Sequence, residues 1–118
     1  MAQRLVASLR LKQGRTGVLG PGKGRLLAAI AEAGSISGAA RAMGMSYKRA
    51  WDLVSDLNKL FDEPMVTTSF GGPKGGGAAL TPFGHNVLDR YHRMQKAANA
   101  AMADDIAWLD RHLAGDAG

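Results

Sequence analysis

"ISGAARAMGMSYKRAWDL", residues 36–53, decides how this chain folds. A short helical stretch, "SGAARAM", runs up to Gly44, and Ser46 then opens a second, "YKRAWDL". A helix-turn-helix needs a small residue where its second helix crosses the first, a turn residue tolerant of positive φ, and apolar flanks. Ala40 is the small residue and Gly44, four positions on, is the turn. Ala39, Met43, Met45, Ala50 and Leu53 supply the buried positions. Two unrelated short helices in a bundle would have no need to meet all these requirements together.

Upstream, apolar positions Leu26, Leu27, Ile30 and Ala31 predict a helix from Lys23 that Gly34 stops, with Ser35 or Ser37 capping the next one. Downstream, the second helix of the motif is expected to run over residues 47–61. Its buried stripe is Ala50, Leu53, Val54, Leu57, Leu60 and Phe61, and Asp62, Glu63 and Pro64 close it. "MVTTSF" (65–70) and "AALT" (78–81) are β-prone and flank "GGPKGGG" (71–77), which reads as a hairpin with a long tip. Thr81 and Pro82 are a cap followed by proline at the first helical position. The long helix they open is expected to reach about residue 113. Its apolar positions, Val87, Tyr91, Met94, Ala98, Ala101 or Met102, Ile106, Leu109 and Leu113, step by three and four like a coiled-coil seam. At the other end, Leu5, Ala7, Leu9 and Leu11 alternate with Arg4, Ser8, Arg10 and Lys12, the period of a half-buried strand. Residues 13–24, "QGRTGVLGPGKG", read as a glycine-rich connector.

The fold class that follows is mainly α with a small β-hairpin: a winged helix-turn-helix with an N-terminal strand and a long C-terminal dimerisation helix. Residues 1–81 are expected to form the DNA-binding region and residues 82–118 the dimerisation helix of the same single domain.

Composition agrees. The 118 residues suit one domain, and 46% of them are hydrophobic, enough for a packed core. The net charge is +5, and it is unevenly placed: residues 1–81 carry 11 basic and 5 acidic side chains, residues 82–118 carry 4 and 5. A polyanion would therefore meet the first two thirds. With no cysteine, disulfides, thiolate zinc sites and cysteine nucleophiles are excluded. No apolar run nears the ~18 residues of a membrane span. Arg10 and Lys12 interrupt what would be the apolar core of a signal peptide, so a cytoplasmic protein with no membrane partner is expected.

Within the motif the second helix is the reader, and its first turn reaches base edges. The buried stripe leaves Tyr47, Lys48, Arg49, Asp52, Ser55 and Asp56 outside. Lys48 or Arg49 suits guanine O6 and N7, or a phosphate. Trp51 flanks the stripe, with packing as its first reading and a phosphate contact through its indole N–H as the second. The glycine loop at 71–77 is not a nucleotide-binding P-loop, which reads GxxxxGK[ST] between a buried strand and a helix; here a glycine follows Lys74 and a strand comes next. "GVLGPGKG" (17–24) matches the spacing at Gly17, Gly22 and Lys23 but has Gly24 where a hydroxyl belongs. The 71–77 loop suits a wing, whose glycines admit phosphates to backbone N–H groups while Lys74 adds charge. His85, His92 and His112 all fall on the last helix without a third metal ligand beside them. No catalytic constellation is present, so an enzyme is not expected.

The residues "SISGAA", "SYKRAWD", "GGPKGGG" and "LTPFG", spread over about residues 3–110, resemble the DNA-binding half of ModE-type molybdate-responsive transcription regulators. The reading helix is more distantly similar to that of LysR-type regulators. The resemblance implies a homodimer on palindromic double-stranded DNA that controls molybdate transport or molybdoenzyme genes. It implies DNA contact by Ser46, Tyr47, Lys48 and Arg49 and by the Lys74 wing. Full-length members of that family sense molybdate in C-terminal β-barrel domains that would begin where this chain stops. No cofactor is therefore expected here, and sensing by a separate effector protein is one expectation. The rival readings are a winged helix used only for protein assembly and a small anion-binding protein using its glycine loops.

Overall fold

The computed structural model describes residues 3–69 and 76–115. In chain order these form β1 (Leu11–Gln13), β2 (Thr16–Leu19), α1 (Pro21–Ala33), α2 (Ile36–Met43), α3 (Tyr47–Leu57), β3 (Val66–Ser69), β4 (Gly77–Leu80) and α4 (Pro82–Arg111). The result is three short helices, two antiparallel strand pairs and one long helix, the winged helix-turn-helix arrangement.

Leu26, Leu27 and Ile30 of α1 are fully buried at the centre. Around them pack Ala39 and Ala40 of α2, Ala50, Val54 and Leu57 of α3, Met65, Val66, Ala78 and Leu80 of the hairpin, and Leu88 of α4. Burying each large aliphatic side chain is worth about 1.5–3 kcal/mol, so this shared core holds all the elements at set angles. Gly34 ends α1 with φ 72°, and its carbonyl accepts the Ala78 N–H at 2.9 Å. That single bond ties the wing to the end of α1.

α3 stops sooner than its apolar spacing predicts. The stripe continues through Leu60 and Phe61, yet the helix ends at Leu57 and Asn58 caps it. Asn58 turns its amide to the wing instead. Its Oδ1 accepts the N–H groups of Met65 and Val66 at 2.9 and 3.0 Å, and its Nδ2 donates to the Val66 carbonyl at 2.9 Å. Phe61 is consequently exposed and meets Phe83 edge-on, ring centres 5.8 Å apart.

The N-terminus also departs from expectation. Leu5, Ala7 and Leu9 face inward and Arg4, Ser8 and Arg10 outward, as the alternation predicts, but Leu11, expected on the inner face, is exposed where the chain enters its hairpin. Residues 3–10 nonetheless pair with no strand among the described residues. They lie along α4, where Asp110 accepts the N–H groups of Arg4 and Leu5, Gln95 bonds Ala7 and Leu9, and the Tyr91 hydroxyl donates to the Leu9 carbonyl. Pairing begins at Leu11, and its partner is Thr16–Leu19 from the stretch read as a connector. Gly14, at φ 62°, takes the first position of the two-residue turn between them, the place a tight hairpin reserves for glycine.

Thr81 caps α4 by accepting the Gly84 N–H at 2.9 Å. Its own hydroxyl donates to the Pro64 carbonyl and its N–H to the Met65 carbonyl. Gly84 lies so close to the Met65 carbonyl that a Cβ there would collide with it. The 30-residue helix is about 45 Å long at 1.5 Å per residue. Its first turns carry Leu88 and Tyr91 into the fold, whereas Met94, Met102, Trp108 and Leu109 are exposed. Among the described residues no helix is long and apolar enough to cross a membrane.

Candidate nucleic-acid interface

The turn between α2 and α3 is built as its sequence requires. Ser35 caps α2 by accepting the Gly38 N–H at 3.0 Å. Gly44 takes φ 67°, which lets its N–H reach the Arg41 carbonyl at 3.2 Å and the Met45 N–H reach the Ala40 carbonyl at 3.0 Å. Ala40 is buried where the two helices cross. Ser46 then caps α3, its Oγ accepting the Arg49 N–H at 3.1 Å. The caps satisfy N–H groups that the first turn of each helix would otherwise leave unpaired.

Ala50, Val54 and Leu57 hold α3 against the core, so residues 46–49 project from its exposed end. Tyr47, Lys48 and Arg49 are all exposed. Lys48 donates to Asp52 one turn along at 3.1 Å, an ion pair open to solvent at both ends. Arg49 differs: its guanidinium has no hydrogen-bond or ion-pair partner among the described residues. Such a planar, unengaged fork of donors suits the paired acceptors of a guanine edge. Trp51, left open by sequence, is half-buried against the core and meets Tyr47 edge-on, ring centres 6.2 Å apart.

Beside α3 stand β3 and β4, paired in register from Val66 with Leu80 to Ser69 with Gly77. The strands leave the core at this end, which sets the wing next to the reading helix. Residues 70–75, with Lys74 among them, lie outside the described residues.

The P-loop-like stretch 17–24 is occupied with its own packing. Lys23 donates to the Gly17 carbonyl at 2.9 Å. Gly24 is buried where a Cβ would come within 3.2 Å of the Tyr91 ring, so its smallness serves helix packing. His85 and His92 are exposed, and His112 stacks on Trp108 with ring centres 4.3 Å apart. Among the described residues no three His, Cys, Asp or Glu side chains gather in a way that would hold a metal.

Sequence reasoning missed Asn58, which joins the reader to the wing. An asparagine in the last turn of an apolar stripe, shortly before Pro64, is a stop signal that could have found it.

Residues 23–85 match the family model for bacterial regulatory helix-turn-helix proteins of the lysR family. Among curated relatives, the molybdenum-pterin-binding protein MopA of Rhodobacter capsulatus is 41% identical over 100 residues, covering 85% of this chain and 38% of that protein. The molybdenum-pterin-binding protein MopB of the same organism is 51% identical over 78 residues, 65% of this chain and 29% of that protein. The DNA-binding transcriptional dual regulator ModE of Escherichia coli (strain K12) is 40% identical over 93 residues, 75% of this chain and 36% of that protein. The chain thus spans about a third of the length of these relatives.

Proposed function

Because the chain belongs to the lysR family of bacterial regulatory helix-turn-helix proteins, we propose that it binds a palindromic operator as a homodimer and controls molybdate transport or molybdoenzyme genes. It is a DNA-binding transcription regulator and not an enzyme. The observation that carries the reading is the exposed first turn of α3, presented by a helix whose opposite face is sealed in the core.

Arg49, without a protein partner among the described residues, is the base reader; Lys48, Tyr47 and Ser46 hold the adjoining backbone, and Lys74 brings charge from the wing. Residues 1–81 lie on the duplex and residues 82–118 join two copies. The exposed apolar side chains of α4, Met94, Met102, Trp108 and Leu109, support that pairing, because they line a helix standing clear of its own core. The molybdenum in the names of relatives supports the choice of regulated genes. No cofactor is assigned to these residues, and sensing of the effector falls to a separate protein. Such a regulator works in the cytoplasm.

Selection of bound sites from random duplex DNA tests the reading. The expected result is a two-fold symmetric consensus with half-sites about 34–36 Å apart, one helical turn. Failure to enrich any sequence, with no salt-sensitive binding, would leave the assembly-module reading in its place.

A further inference from the structure

Between the start of α2, the face of α3 and the strands of the wing lies a cavity of about 140 Å³. That is several times the space one ordered water needs. Among the described residues its lining is uncharged and mixes Ile36 with polar groups: Ser37 comes from α2, Tyr47 and Trp51 from α3, and Thr68 from β3. The Tyr47 and Thr68 hydroxyls and the Trp51 indole N–H have no hydrogen-bond partner among the described residues. The Ser37 hydroxyl lies 3.5 Å from that of Ser35, whose oxygen already accepts the Gly38 N–H. Four neutral groups able to donate therefore surround one small space.

That chemistry selects the occupant. Among the described residues no carboxylate lines the notch, so they do not suit a cation. Among the described residues no Lys or Arg lines it either, so they give a free anion no Coulombic attraction there. An anion brought in by other contacts is the remaining fit. In a winged helix the reader enters the groove and the wing sits beside it, so the strand that walls the groove passes between them, where this cavity lies.

We infer that the notch seats one backbone phosphate of the bound duplex and that Trp51 is a positioning residue, donating its N–H to a phosphate oxygen while Tyr47 braces its ring. This rests on the DNA-binding reading above and deepens it. The phosphate fixes how far α3 turns into the groove, and hence which base edge Arg49 meets. A neutral donor adds affinity without releasing a further counterion, so its signature differs from that of Lys or Arg.

The test uses the full chain and the operator found by selection. Trp51→Phe keeps an aromatic ring against Tyr47 but lacks the N–H. It is expected to weaken operator binding about tenfold, the scale of a hydrogen bond to a charged group. The melting temperature and the slope of log affinity against log salt should stay as in the parent protein. The double variant Ser37→Ala with Thr68→Val serves as an independent arm should Trp51→Phe not fold. Replacing single operator phosphates with uncharged methylphosphonates should then reveal one position that weakens the parent protein and no longer matters to Trp51→Phe. Binding within twofold of the parent in both variants would overturn the inference, as would a salt slope lowered by one. Parent protein that binds no DNA would instead overturn the reading on which it rests.

Discussion

Replacing Asn58 by alanine isolates the joint between reader and wing. The side chain makes three hydrogen bonds of 2.9–3.0 Å, two accepted from Met65 and Val66 and one donated to Val66. All three are partly buried, and the Met65 and Val66 side chains beside them are 0% and 3% exposed, so water does not easily replace the lost partner. At about 1 kcal/mol net per bond the loss is about 3 kcal/mol. For a domain of this size that lowers the melting temperature by roughly 12 °C, taking about 4 °C per kcal/mol. Asn58→Asp separates the parts: its carboxylate still accepts both N–H groups but faces the Val66 carbonyl without a donor, so an intermediate loss is expected. Urea unfolding of all three proteins, with thermal melts alongside, supplies the numbers. A loss below about 1 kcal/mol for Asn58→Ala would show that the joint is held by the apolar core alone, and the reasoning would fail.

Further expectations concern neighbouring residues. Gly84→Ala should destabilise by about 1–3 kcal/mol in urea unfolding, despite alanine's better helix propensity, because its Cβ meets the Met65 carbonyl. Arg49→Ala should cost about 1–3 kcal/mol on the operator and relax the consensus when site selection is repeated; an unchanged consensus would remove Arg49 as reader. Lys74→Ala should weaken all sequences alike and reduce the salt slope by about 1, measured by titration over a salt series. Asp52→Asn frees Lys48 and should tighten DNA binding, while unfolding free energy moves by less than about 0.5 kcal/mol because the pair is exposed.

What could be read in the residues was local. Gly44 and the small Ala40 four positions before it specify the helix-turn-helix, because a left-handed turn and a close helix crossing each restrict residue type at one place. Ser35, Ser46 and Thr81 mark helix starts through bonds that span three residues. The alternation at Leu5, Ala7 and Leu9 told which side faces inward, since an extended chain turns its side chains by a period of two whatever lies beneath it.

Partners were another matter. That alternation is the same against a strand or a helix, and only the folded chain brings Asp110 and Gln95 to receive the N-terminal backbone. The short β1–β2 ribbon was hidden because Thr16–Leu19 lies among glycines. The end of α3 was misplaced because apolar spacing records which residues prefer burial, and says nothing of a polar side chain with a better partner outside its helix. So the chain by itself determined a helix-turn-helix, the exposed first turn of its second helix and its basic character. Tertiary structure decided where that helix ends, how the wing is fastened to it, and that Arg49 has no partner among the described residues while Lys48 is held. The physical reason is range: caps, turns and periodicity act within a few residues, whereas the bonds that orient these elements form only between surfaces already packed together.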